Sequence, residues 1–229
     1  SSNPDSFSQL DISDHEKDKL IGEVIRYILF KTEQSSGCPI RREDLTQLIS
    51  AKGYCKQRNL PAYIINESKA KLSSIFGYDM VELHRHRPSQ SQSQSQSQSQ
   101  SQQLSDAKSY VILSQLPSDV YAKFVEDAPS CAMRGLAFVV VAIVHLCGGK
   151  VTEENLWQHL KQLGVNETEE NHPEFGNAKQ KVEGLIQQRY LQKERVNSPD
   201  GGTVVYYELA ERALHAPVYD QIKDYVIQV

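Results

Sequence analysis

A chain of 229 residues with a net charge of −4 is long enough for one or two compact domains and is not basic throughout. Any nucleic-acid binding therefore has to come from a local patch. Four cysteines without CxxC pairing (Cys38, Cys55, Cys131, Cys147) argue against a metal knuckle or a disulfide framework and point to a reducing compartment, with Cys131 and Cys147 read as core thiols.

Residues 1–12 are polar and read as a flexible N-terminal segment. No signal peptide or membrane span is expected, and the Ser-Ser start without Met suits a processed fragment. Ser13 followed by Glu16 is a capping box that opens a helix. Leu20, Ile21, Val24, Ile25, Ile28 and Leu29 form one stripe along it, and Ser35-Ser36-Gly37 with Pro39 ends it. Arg42 to Ser50 reads as a short second helix with Leu45, Leu48 and Ile49 inward. Asn59 to Phe76 reads as a third, with Pro61 in the first turn, where a missing N–H is harmless. Its inward set is Ile64, Ile65, Leu72, Ile75 and Phe76, and Gly77 closes it. Tyr78 to His84 and Ser109 to Leu113 are short, apolar and suited to a pleated surface. Three helices followed by a two-stranded hairpin is the order of a winged helix, a relative of the helix-turn-helix.

Between those strands stand seven consecutive Ser-Gln dipeptides, Ser89 to Gln102. They have nothing to bury, so an insertion over 89–103 is expected to be disordered. At a wing tip such length costs little closure entropy. The plain reading is a length-variable loop. The sharper one is a phosphorylation cluster, because Ser-Gln is the dipeptide favoured by DNA-damage kinases. Each phosphate would set about −1.5 to −2 charges beside His84, Arg85, His86 and Arg87.

Residues 117–129 form a connector with a short helical piece near Asp119 to Val125. Leu136 to Val144 follows, nine unbroken apolar residues. That run is too short to span a bilayer, which needs about 20, and too apolar for a surface helix. Length makes it a helix, running from a cap at Ser130 to the stop at Gly148-Gly149. A helix apolar on all faces is expected to be surrounded by other elements. Thr152 caps the next helix, with Glu153 and Glu154 in its positive first turn. Leu156, Leu160 and Leu163 share a face of it, and Gly164 ends it. A third helix covers about Ala178 to Arg189, with Val182, Leu185 and Ile186 inward. A hairpin follows, Tyr190 to Val196 and Thr203 to Leu209. A last helix over 211–227 carries Leu214, Val218, Ile222 and Val226, bent or divided at Pro217. The second half thus repeats the order of the first. The expected fold class is mainly α with small β-hairpins (α+β): two tandem winged-helix domains, 13–116 and 130–229.

Chemistry is sparse. There is no nucleophile motif, no phosphate-cradling glycine loop and no HExxH. His84 and His86 at i, i+2 lack further ligands, so no metal and no cofactor are expected. His145 reads as a hydrogen-bonded core residue. Six acids between Glu153 and Glu174 face one Lys161, a solvated cluster and not a pair with separated pKa values. Catalytic residues are therefore expected to be none.

Charge is uneven. Cys38 to Pro88 holds nine Lys/Arg against five Asp/Glu, and Lys179 to Arg195 holds five against two. Lys179, Lys181, Arg189, Lys193 and Arg195 span the third helix and the start of the second wing, the elements that approach DNA in such domains. They are the candidate DNA-binding set, neutralising phosphates without reading bases. The alternative is a solvated helix face. Surplus apolar surface is the other feature, able to form a groove for a partner's helix. Trp157, Tyr206 and Tyr207 read as core aromatics before anchors.

Several stretches carry a family resemblance: IFGYDMVEL, KSYVILSQLP, RGLAFVVVAIVHLCGGKVTEENLWQHLKQLGV, QQRYLQKERV, and VVYYEL with ERALHA after it. Together they resemble the MAGE (melanoma-associated antigen) homology domain family from about Ser13 to Val229. The Ser-Gln run stands outside the match. The RGL…GG-V-EE-LW-L-LGV segment is the specific part. Within the family the chain looks most like the ancestral branch, the non-SMC subunit of the structural-maintenance-of-chromosomes five/six DNA-repair complex. The resemblance implies a nuclear, non-catalytic subunit with three partners. A RING-type ubiquitin ligase subunit would sit mainly on the first domain. A kleisin subunit would insert a helix into an apolar groove of the second, with Leu136, Val140, Ile222 and Val226 as candidates. Double-stranded DNA would lie on the basic face. An adaptor of a ubiquitin ligase without a DNA role and a tandem winged-helix transcription factor are the alternatives.

Overall fold

The computed structural model describes residues 12–54, 57–84, 108–125, 127–197 and 201–215. The chain divides into two compact units; among the described residues the first holds 12–84 and 108–117, and the second holds 118–215.

The first unit opens with α1 (Asp14–Gln34). Its capping box is complete: the Ser13 hydroxyl accepts from the Glu16 N–H, and the Glu16 carboxylate accepts from the Ser13 N–H at 3.2 Å. These bonds satisfy two of the donors that a helix start leaves open. A short strand β1 (Ile40–Arg41) leads into α2 (Arg42–Ile49). A tight turn over Ser50–Tyr54 follows, with Gly53 at φ +94°. Then come α3 (Leu60–Phe76), β2 (Tyr78–Leu83) and β3 (Ser109–Ser114). Gly77 stops α3 in the left-handed region at φ +69°, where a side chain would be strained. The strands form one antiparallel sheet in the order β1-β3-β2. Val24, Ile28, Leu45, Ile49, Leu60, Ile64 and Leu72 meet Met80 and Tyr110 in one core. Each such side chain adds roughly 1.5–3 kcal/mol by leaving water.

The second unit begins with α4 (Ser118–Phe124) and α5 (Ala128–Leu146). Next are β4 (Lys150–Thr152), α6 (Glu153–Gln162) and α7 (Ala178–Gln187). The hairpin β5 (Leu191–Asn197) and β6 (Thr203–Leu209) completes it, with sheet order β4-β6-β5. Thr152 caps α6 and Asn177 caps α7, each accepting a backbone N–H three residues on. From its first long helix, each unit runs helix, short strand, two helices, hairpin. The repeat read in the sequence is present and extends to the sheet order.

Several expectations are corrected. The third strand of each sheet, β1 and β4, was not anticipated; strands of two and three residues carry no period and exist only through distant pairing, Ile40 with Tyr110 and Val151 with Tyr207. The cap of α5 is Asp127, not Ser130: its carboxylate accepts from the Ser130 N–H at 2.9 Å, and Pro129 falls within the first turn. Ile75 and Phe76, expected inward, are 68% and 48% exposed, and Leu163 is 62% exposed. In each case the apolar period outlasts the neighbours that could cover it. Cys131 and Cys147 are exposed at the two ends of α5, beyond the arc that faces the core. The first eleven residues, the Ser-Gln insertion and residues 216–229 lie outside the described residues; 211–214 form a turn.

The largest correction concerns α5. By length and composition alone it is apolar enough to cross a membrane, and it was expected to be enclosed. Leu136, Val140, Val141 and Val144 are buried against α6, α7 and the sheet. Phe138, Val139, Ala142 and Ile143 are only half-buried, and Leu146 is 66% exposed. One arc of the helix makes the core and the other is only partly covered.

Candidate functional site

The five basic candidates fall on two elements and one junction. Val182 and Leu185 hold α7 to the core, which turns Lys179 and Lys181 outward. Lys193 and Arg195 alternate along β5 opposite Tyr207 and Val205. Arg189 closes the turn between α7 and β5.

Three of the five are already neutralised. Lys179 Nζ lies 2.7 Å from Glu167. Lys193 Nζ is 3.0 Å from Glu153, 3.1 Å from Glu183, and 5.3 Å from the centre of the Tyr207 ring. The Tyr207 hydroxyl donates to the same Glu153 oxygen at 2.9 Å. Arg189 grips Glu211 with two bonds of 2.7 Å. The protonation states follow. Partial burial works against the Glu153 carboxylate, but bonds from Lys193 and Tyr207 outweigh it and hold its pKa below the usual range. Burial also opposes the Lys193 charge, yet Glu153 and Glu183 raise its pKa. Burial, then the Glu153 bond, pushes the Tyr207 hydroxyl up.

Lys181 and Arg195 remain exposed, and neither makes an ion pair among the described residues. The acids that quench the patch come from α6, α7, the 166–177 loop and the turn after β6. Glu153 and Glu167 belong to the cluster read as merely solvated. Sequence spacing did not reveal their pairing, because it links residues 12 to 40 apart. A further cation, Lys150 on β4, was not singled out. It pairs with Glu208 at 2.8 Å and with Glu194, and sits 4.7 Å over the Tyr206 ring. Only the β4–β6 pairing brings it there.

The apolar candidates divide. Leu136 is 2% exposed and Val140 is 0%, both within the core; Ile222 and Val226 lie outside the described residues. Trp157 and Tyr207 are also core. Apolar surface that is only partly covered lies instead on the other arc of α5. There Gly135 is exposed with nothing within 4 Å of an added Cβ, and Phe138, Ala142 and Leu146 follow on the same side. In the first unit, Ile25, Leu29, Phe30 and Phe76 border an open cleft of about 380 Å³.

Among the described residues no group of three or more His, Cys, Asp or Glu is placed to hold a metal ion. His84 lies 3.5 Å from Glu82 at a strand end. His172 stacks on Phe175, and its Nδ1 accepts the Glu174 N–H.

The chain is 25% identical over 191 residues to the mouse non-structural maintenance of chromosomes element 3 homolog, covering 82% of this chain and 57% of that one. It is 23% identical over 182 residues to the human protein of the same name, covering 79% and 51%. It thus spans little more than half the length of these relatives. A chain in a solved Nse1-Nse3-Nse4 complex superposes with a TM-score of 0.69 at 21% identity, covering 89% of this chain and 84% of that one; the fold is shared. The family model described as the MAGE homology domain matches residues 24–215. With that match across both units, the chain belongs to the MAGE homology domain family.

Proposed function

We propose that the chain is a non-catalytic docking subunit of a nuclear SMC-type complex for chromosome maintenance and DNA repair. It binds a RING-type ubiquitin ligase subunit and a kleisin subunit, needs no cofactor, and adds affinity for double-stranded DNA without reading sequence. In this reading each unit is a winged-helix domain, and residues 117–129 connect them. The observation that carries it is the partly covered arc of α5. A row from half-buried Phe138 and Ala142 to exposed Leu146 leaves apolar surface on a core helix that suits a partner's helix. The names of the mouse and human relatives and of the three-subunit complex support the assignment. The kleisin helix lies on this arc. Leu136 and Val140 support it from beneath. The DNA contribution falls to Lys181 and Arg195.

A second reading, a ubiquitin-ligase adaptor without a DNA role, is favoured by the pairing of Lys179, Arg189 and Lys193 with carboxylates. A tandem winged-helix transcription factor is disfavoured by the same pairing. Co-purification of the chain with RING-type and kleisin subunits, with and without duplex DNA, tests the first reading. Both subunits are expected to co-elute, and DNA retention is expected to fall when Lys181 and Arg195 are reversed to Glu. Unchanged retention leaves the adaptor reading; failure of both subunits to bind overturns docking.

A further inference from the structure

The turn between α6 and α7 is long and bonded within itself. A helix-turn-helix joins such helices with about three or four residues; here residues 163–177 stand between them. His172 and Gly176 exchange two backbone bonds, of 2.9 and 2.8 Å, and the His172 ring stacks on Phe175 with centroids 4.7 Å apart. Phe175 packs against the core of the unit, and buried Val165 and Ala178 fix the two ends. Just past Val165, this frame sets Glu167 against Lys179 in the first turn of α7, at 2.7 Å. Glu153 and Lys193 also act on Lys179 through space. One flank of α7 is therefore a cluster of alternating sign, in which Glu167, Glu153 and Glu183 meet Lys179 and Lys193. Its members differ in access. Lys193 is 23% exposed, whereas Lys179 and Glu167 are 55% and 37% exposed. An ion pair that wet contributes little and exchanges readily for another anion.

We propose that Glu167 is an internal competitor for phosphate, seated by its loop on Lys179 so that duplex DNA gains this lysine only by displacing the carboxylate. A carboxylate beside a lysine at a helix start stands where an incoming anion is favoured by both the charge and the helix dipole. Its withdrawal leaves two acids against two lysines on the flank and adds one cation to the exposed pair Lys181 and Arg195. Because the pair is exposed, the competitor weakens DNA binding by a few-fold and does not abolish it. Lys193 stays out of reach in either state, held by Glu153, Glu183 and the Tyr207 ring. The inference rests on the DNA part of the docking-subunit reading and adds an autoinhibitory contact to it.

The test measures the full chain on one labelled duplex of mixed sequence by fluorescence anisotropy across a salt series, with a melting temperature for each variant. Glu167→Gln is expected to bind about threefold tighter at the lowest salt and to steepen the slope of log affinity against log salt by about 0.9, one added phosphate contact. Glu170→Gln makes the same change in net charge at an exposed acid that holds no ion pair among the described residues, and is expected to leave the slope unchanged. Adding Lys179→Ala to Glu167→Gln should return the slope to that of the wild type. A Glu167→Gln slope equal to the wild type's, or matched by Glu170→Gln, would overturn the competitor while DNA binding stands. A lower melting temperature for Glu167→Gln with no change in slope would make the pair a clasp of the loop alone and overturn it as well. Failure of both the wild type and Glu167→Gln to hold the duplex removes the DNA reading together with this one.

Discussion

Arg189 is a non-glycine residue at φ +63°, a conformation that costs about 1–2 kcal/mol. It is held there by its two bonds to Glu211 and by backbone bonds on both sides, Arg212 N–H to the Arg189 carbonyl at 3.0 Å and Ala210 N–H to the Tyr190 carbonyl at 2.9 Å. Arg189→Ala keeps the strain and orphans a buried carboxylate, so chemical denaturation should show a loss of about 3 kcal/mol. Arg189→Gly loses the same pair without the strain and should be about 1 kcal/mol milder. Equal losses would mean the φ carries no cost. The Glu153 cluster makes a pH prediction. Its folded pKa is depressed, so its stabilisation is present above the unfolded carboxylate pKa, near 4.3, and is lost as pH falls through the lower folded value. Lys193 has a raised pKa, so its share is complete below the ordinary lysine value and is lost only in strong alkali. The stability gap between wild type and Glu153→Gln, followed by thermal melting, should therefore be constant at neutral pH and close below about pH 4. A gap that widened in acid would place the proton elsewhere.

At the scale of elements, α5 has two arcs with different surroundings. Leu136→Ala removes a side chain that is 2% exposed and should cost about 2–5 kcal/mol in the isolated chain. Leu146→Ala, at 66% exposure, should change stability by no more than about 0.5 kcal/mol. Binding of the kleisin subunit should rank them in reverse: Leu146→Ala weakens it, whereas Leu136→Ala acts through folding. Urea midpoints beside affinities check this, and a Leu146 variant that bound normally would exclude the partly covered arc. The helices, their caps at Ser13 and Thr152 and their stops at Gly77 and Gly164 were legible because local spacing dictates them. Which arc of α5 is wet was not legible. Every face of that helix reads as apolar, and only the placement of α6, α7 and the sheet chooses among them.

For the whole molecule, a net charge of −4 and the carboxylates around Lys179 and Lys193 make strong autonomous DNA binding unfavourable. In the proposed role, the DNA contribution reduces to exposed cations such as Lys181 and Arg195. Replacing both by alanine should lower the slope of log affinity against log salt by about 2, near 0.9 per phosphate contact released. Lys193→Ala should leave the slope unchanged and lower the melting temperature, since its charge serves Glu153 and Glu183. Fluorescence anisotropy on one duplex across a salt series separates the two. A slope altered only by Lys193 would reverse the assignment.

Local order was determined by the chain itself. Helix starts, helix stops, hairpin strands and the twofold repetition follow from side-chain period, caps and glycines, whose effects reach only a few residues. The availability of each charge and each apolar face was decided by tertiary structure alone. Lys193 is spent on Glu153 across 40 positions, Arg189 on Glu211 across 22, and Lys150 reaches its acids only because a three-residue strand joins β6.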